Sequence, residues 1–138
     1  MFKILLISHG NLAQEILNTS KMIMGEQEGI TALGLKPDEG NEEFGNKIFD
    51  TCSKLYSGSG ILILTDLYGG TPCNTAILRV MNKFDNVEIL AGVNLAMVLE
   101  ALVSRDMPLS QAVTSLKEAG KNGIYNIKEM MKENCEDE

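Results

Sequence analysis

KILLISHGNL, residues 3–12, decides the fold. Ile4-Leu5-Leu6-Ile7 is apolar without alternation, the pattern of a strand covered on both faces. We therefore read Phe2–Ile7 as a central parallel strand. Ser8-His9-Gly10 ends it, and His9 is the only histidine in 138 residues. After Gly10, Leu12, Ile16 and Ile23 recur with Ala13, Leu17 and Met24 beside them, one face of a helix.

The same alternation continues along the chain. Ile30–Leu35 is a short strand, and Pro37-Asp38-Glu39-Gly40 is a turn. Asn41 reads as the N-cap of a helix reaching about Tyr56, with Phe44, Ile48, Cys52 and Leu55 inward. Ile61–Leu64 is a second buried strand. A helix follows with Ala76, Ile77, Val80 and Met81 inward. Val87–Leu90 is a further strand, and Leu95, Val98, Leu99 and Leu102 mark the next helix. Pro108 opens another, carrying Leu109, Ala112, Val113 and Leu116, which Gly120 closes. Ile124–Ile127 reads as a brief β run, and the acidic end after Glu133 reads as a frayed tail. Strand and helix in alternation predict an α/β domain, three layers deep, with a mostly parallel open sheet and helices on both faces.

Composition narrows the function. With 12 basic and 19 acidic residues the net charge is −7, which argues against holding a nucleic-acid backbone and suits a basic protein partner. Three dispersed cysteines (52, 73 and 135) without a C-x-x-C pair read as reduced thiols. With one histidine they leave no zinc ligand set. The apolar run after Lys3 is too short for a signal peptide or a membrane span, so a soluble cytoplasmic protein is expected.

Open parallel sheets bind ligands beyond the carboxyl ends of their strands. His9, Asp66 and Asn94 occupy such ends on three strands. If the first and third strands are neighbours, His9 and Asp66 converge. A carboxylate on one ring nitrogen then leaves the other free as a nucleophile. Gly69-Gly70-Thr71-Pro72 opens a helix just after Asp66, with Thr71 as N-cap and Pro72 as first helical residue. Gly10-Asn11 opens another after His9. Helix amino termini hold anions, so the combination suggests a phosphoryl group on His9. Each part also has a purely structural reading: His9 as a satisfied strand-end residue, Asp66 as a turn cap, Asn94 as a turn residue. Walker, dinucleotide and nucleophile-elbow motifs are missing. Ser8 cannot join His9 in a triad, because neighbours on a strand face opposite ways.

Three stretches resemble the enzyme IIA component of the mannose family of the bacterial phosphoenolpyruvate-dependent sugar phosphotransferase system. They are ILLISHGNLA at 4–13, ILTDLYGGTPCNTA at 63–76 and AGVNLAMVLEAL at 91–102. The resemblance implies a IIA domain over residues 1–130 and an acidic tail over 131–138. It implies that His9 takes a phosphoryl group from the carrier HPr and passes it to a IIB component. The membrane components IIC and IID lie further downstream, and no cofactor, ATP or metal takes part. Asp66 would orient the ring and stabilise charge on it, and Gly10, Gly69, Gly70 and Thr71 would bind the phosphate, Thr71 and the backbone N–H groups around Gly70 holding its oxygens. A homodimer is implied, with Ile124–Ile127 as a short antiparallel strand exchanged between partners. Since some family members continue into a IIB domain, a chain stopping at Glu138 is expected to use a separate IIB. No role follows for Cys73. The alternatives are the phosphoryl-donor subunit of dihydroxyacetone kinase, a histidine-phosphorylated regulatory protein, and a flavodoxin-like binding module without chemistry.

Overall fold

The computed structural model describes residues 1–136. Strands β1 (Lys3–His9), β2 (Ile30–Leu35), β3 (Ile61–Thr65) and β4 (Val87–Ala91) form one sheet. Its order is β2-β1-β3-β4, and every pairing is parallel. Helices α1 (Leu12–Met24), α2 (Asn41–Leu55), α3 (Thr71–Val80), α4 (Leu95–Val103), α5 (Leu109–Asn122) and α6 (Ile127–Glu136) complete the element order.

Two cores explain the unbroken apolar strands. Ile4, Leu6, Leu62 and Leu64 pack with Ala13, Leu17, Val98, Leu102, Leu109 and Leu116, placing α1, α4 and α5 on one face. Leu5, Ile7, Ile61 and Ile63 pack with Phe44, Ile48, Cys52, Ala76 and Val80, placing α2 and α3 on the other. Side chains alternate across a strand, so a strand covered on both faces needs apolar residues at every position. Parallel pairing follows from the helical crossovers. The three-layer α/β architecture is thus as the sequence indicates.

Local details differ. In α1 the buried residues are Ala13, Leu17 and Ser20, while Leu12 and Ile23 are exposed. The stripe facing the sheet therefore lies to one side of the apolar face counted from the sequence. Ile77 and Met81 likewise sit outward. The helix starts shift by one residue: Gly40 and Gly70 are the N-caps of α2 and α3, and Asn41 and Thr71 are already helical. Helix α5 runs past Gly120 to Asn122.

The expected strand at Ile124–Ile127 does not form within this chain. Residues 124–126 are irregular, and Ile127 opens α6. The cause is local. Asn126 accepts the Glu129 N–H on Oδ1 at 3.1 Å and the Met130 N–H on its carbonyl at 3.1 Å. That is an N-cap in front of the helix-favouring run Lys128-Glu129-Met130-Met131. Among the described residues the sheet of this chain contains only β1–β4, so 124–127 has no ladder here. Residue 130, the expected domain boundary, falls inside α6, and residues 131–136 of the expected tail are helical. Residues 137 and 138 of that tail lie outside the described residues.

Candidate active site

The chain visits β1, crosses to β2 on one side, then returns to β3 on the other. The carboxyl ends of β1 and β3 therefore form the point where strand order reverses. Ile7 pairs in register with Thr65, so His9 and Asp66 emerge side by side. Odd-numbered β1 residues face α2 and α3, as Leu5 and Ile7 show. His9 continues that face and meets the start of α3. Ser8 points the other way, fully buried, and its Oγ accepts the Ala13 N–H at 2.8 Å. One strand end thus caps α1 with Ser8 and presents His9 to α3.

Asp66 Oδ2 accepts the His9 backbone N–H at 2.9 Å and contacts ring Nδ1 at 2.8 Å. Thr65 Oγ1 donates to Oδ1 at 3.3 Å. Partial burial raises the Asp66 pKa, but the bonds from the His9 backbone and ring, with that from Thr65, outweigh it and hold the value below the usual carboxylate range. An ionised carboxylate only accepts, so Nδ1 carries a proton, and in the neutral ring Nε2 keeps its lone pair. The Asp66 side chain is 11% exposed and that of His9 49%. The anchor is shielded while the nucleophile is open.

Gly70 makes the close approach possible. A Cβ built there would lie 2.9 Å from His9 Cε1 and 3.6 Å from Nε2. Nε2 therefore sits at the amino terminus of α3, where unpaired N–H groups and the helix dipole favour an anion. The glycine amides themselves are engaged: Gly10 N–H donates to Leu35 O at 2.8 Å and Gly70 N–H to Leu67 O at 3.3 Å. Gly10 and Gly69 take positive φ, +56° and +80°, and shape the two turns around the ring. Thr71 is in the first turn of α3, and its hydroxyl makes no hydrogen bond among the described residues. Pro72 has no N–H to offer. Thr71 thus supplies the unengaged donors nearest the glycine turn.

Asn94, the third strand-end residue, does not join this pair. Its Oδ1 accepts the Met97 N–H at 2.9 Å, and its Nδ2 donates to Gly120 O at 2.9 Å. It caps α4 and ties it to α5. Sequence reasoning missed three supporting residues: Ser8, Thr65 and Asn74, whose Nδ2 donates to Gly69 O at 3.0 Å. Only Ser8 carried a signal, as a hydroxyl shortly before a helical pattern. Two clefts flank these turns. One of about 300 Å³ is lined by Asn41, Thr71, Asn74 and Arg79 among others. One of about 420 Å³ is lined by Gly10, Asn11, Gly34 and Lys36 among others. His9 lines neither, and its ring stands open to solvent. Among the described residues there is no cluster of acidic, cysteine and histidine side chains arranged to hold a metal.

A doubly wound α/β domain with an anchored, outward imidazole at its switch point has the arrangement needed to carry a group on histidine. A family model described as "PTS system fructose IIA component" matches residues 3–117. The chain belongs to this family, the mannose-type IIA components of the sugar phosphotransferase system. These components are phosphotransferases that work through a phosphohistidine. The mannose-specific EIIAB component of Escherichia coli K12 is 35% identical over 123 residues, which is 88% of this chain. The chain spans 38% of the length of that relative. The sorbose-specific EIIA component of Lacticaseibacillus casei is 29% identical over 99% of this chain and 98% of its own length. Among solved structures, the mannose/sorbose-specific IIA subunit of Enterococcus faecalis superposes with a TM-score of 0.84. Its identity is 30%, over 91% of this chain and 93% of that one.

Proposed function

We propose that the chain relays a phosphoryl group from the phosphohistidine of HPr to a IIB component, with His9 Nε2 as the acceptor. The observation that carries this is Asp66 Oδ2, engaged by both the backbone N–H and Nδ1 of His9, which leaves Nε2 free at the start of α3. In the first step the Nε2 lone pair attacks phosphorus and a P–N bond forms. The donor's P–N bond breaks, and its electron pair returns to the donor imidazole. Asp66 keeps the Nδ1 proton in place and offsets the positive charge that grows on the ring. The α3 amino terminus and Thr71 hold the phosphoryl oxygens, with Gly10, Gly69 and Gly70 leaving room for them. The second step is the reverse, with the IIB component as acceptor. Transfer between two nitrogens of similar leaving ability depends on in-line placement and charge stabilisation.

The open setting of His9 supports a macromolecular donor, whose phosphoryl group arrives on another surface. Leu67 and Tyr68, in the turn after Asp66, are 59% and 84% exposed, and Leu12 is exposed beyond Gly10. Exposed apolar side chains around a reactive group suit protein docking. No helix among the described residues is long and apolar enough to cross a membrane, which accords with a cytoplasmic relay upstream of membrane IIC and IID components. The IIA domain is taken as residues 1–130. We also infer a homodimer. Among the described residues strand β4 ends the sheet with an unpaired outer edge, and Ile124, Tyr125 and Ile127 are exposed. Sedimentation at micromolar concentration tests this, and a monomer there removes it.

The relay is tested by incubation with phosphoenolpyruvate, enzyme I and HPr, read by intact mass. One acid-labile phosphoryl group is expected on the wild type and none on His9→Ala. Label should then leave when a IIB protein is added. No gain of mass with an active donor system would sink the proposal, and a label that no IIB protein accepts would favour a regulatory phosphoprotein.

A further inference from the structure

We propose that Asn74 is a positioning residue for phosphoryl transfer, acting through the Gly69–Gly70 peptide; this rests on the relay read above. Asn74 lies in the first turn of α3. Its side chain donates from Nδ2 to Gly69 O at 3.0 Å, and its own backbone N–H donates to Gly70 O at 2.9 Å. One residue therefore grips both carbonyls of the glycine pair. The Gly70 N–H is drawn back to Leu67 O at 3.3 Å, so the peptide between the glycines is held at both its oxygen and its nitrogen.

That peptide matters because of where it sits. Gly70 presses on the imidazole closely enough that a Cβ would meet Cε1 at 2.9 Å, and the next residue, Thr71, brings the unengaged donors. Gly69 takes φ +80°, and a glycine in that region is free to rotate. Nothing in the glycines themselves stops the peptide from turning over. Such a turn would break the Gly70 N–H bond to Leu67 O and disturb the seat of Gly70 against the His9 ring. The Asn74 amide is the side-chain contact that resists it. Asn74 touches neither the ring nor, on this reading, the phosphate.

The test compares Asn74→Asp and Asn74→Ala with wild type. Aspartate keeps the shape but has no donor at neutral pH, and alanine removes the group without adding charge. Rapid-quench transfer from phospho-HPr gives kcat and KM separately, and NMR follows the Gly69 and Gly70 amides and the His9 ring. Both variants should lose roughly three- to tenfold in kcat, the rate equivalent of one ordinary hydrogen bond. KM for phospho-HPr should hold, and the glycine amide resonances should move. Wild-type kcat in either variant overturns the inference. So does a loss that lies wholly in KM, or unchanged glycine resonances. A wild type that takes no phosphoryl group overturns the relay, and this inference with it; a competent wild type beside unaffected variants overturns the role of Asn74 alone.

Discussion

Asp66→Asn isolates the charge at the centre of the site. The substitution keeps the side-chain shape and replaces a carboxylate by a neutral amide. In the wild type Oδ2 receives two N–H groups, at 2.9 and 2.8 Å. A hydrogen bond to a charged acceptor contributes about 1.5–3 kcal/mol and a neutral one about 0.5–1.5 kcal/mol. Downgrading both, with a discount for the half-exposed ring, costs about 1–2 kcal/mol. At the upper end of the sensitivity for a chain of this size, that lowers the melting temperature by about 3–8 °C. The Nδ1–H bond to Oδ2 strengthens as phosphorus bonds to Nε2 and positive charge grows on the ring, and losing about 1–2 kcal/mol of that strengthening should slow transfer about 5- to 30-fold. If the amide turns its NH₂ towards Nδ1, the ring adopts the other tautomer, Nε2 carries the proton and the loss deepens. Rapid-quench transfer from phospho-HPr measures the rate and thermal melts the stability. The pH dependence has a fixed sign. The Asp66 pKa is lower folded than unfolded, so its contribution is complete above the ordinary carboxylate value of about 3.9. It is lost as pH falls through the lowered value. The gap in melting temperature between wild type and variant should be full at pH 7 and close in acid. A variant within twofold of the wild-type rate would refute the assignment of Asp66, as would a gap that widens in acid.

Gly70→Ala tests the close approach. Gly70 has φ −75° and ψ 167°, which alanine adopts without strain, so the obstacle is the ring 2.9 Å away. We expect a folded protein with a displaced His9 ring in NMR and transfer reduced at least about tenfold, the effect of a small misplacement at a reacting centre; wild-type transfer would show that the ring has room to yield. Ser8→Ala removes the acceptor of the buried Ala13 N–H and should cost about 1 kcal/mol in urea denaturation, with little change in the histidine's reactivity. A fall in phosphorylation without a fall in stability would mean that Ser8 acts at the site instead.

How far the sequence could be read depends on the range of the forces involved. The apolar runs at 4–7 and 61–64 specify buried parallel strands because every position faces a helix. The glycines at 10, 69 and 70 mark the turns beyond them. His9, Asp66 and Asn94 were legible as strand-end candidates because all three follow strands. Within the single chain Ile124–Ile127 makes no strand, because apolar content does not distinguish a strand from the entry to a helix. The Asn126 cap decided it locally. The inward faces of α1 and α3 were misjudged at Ile23 and Ile77, since the rotation of a helix is set by the sheet it rests on.

The sequence by itself determined the layer architecture, the strand ends that carry polar residues and the one imidazole available for transfer. These follow from periodicity and residue type, which act over a few neighbours. Tertiary structure alone decided that β1 lies beside β3, and so that Asp66 meets His9 rather than Asn94. It also decided that the ring faces α3, that Asn74 holds the glycine turn, and that Asn94 ties two helices. Each is a contact between segments distant in the chain or a choice among faces of one element. Such contacts are fixed only when both cores close on the sheet together.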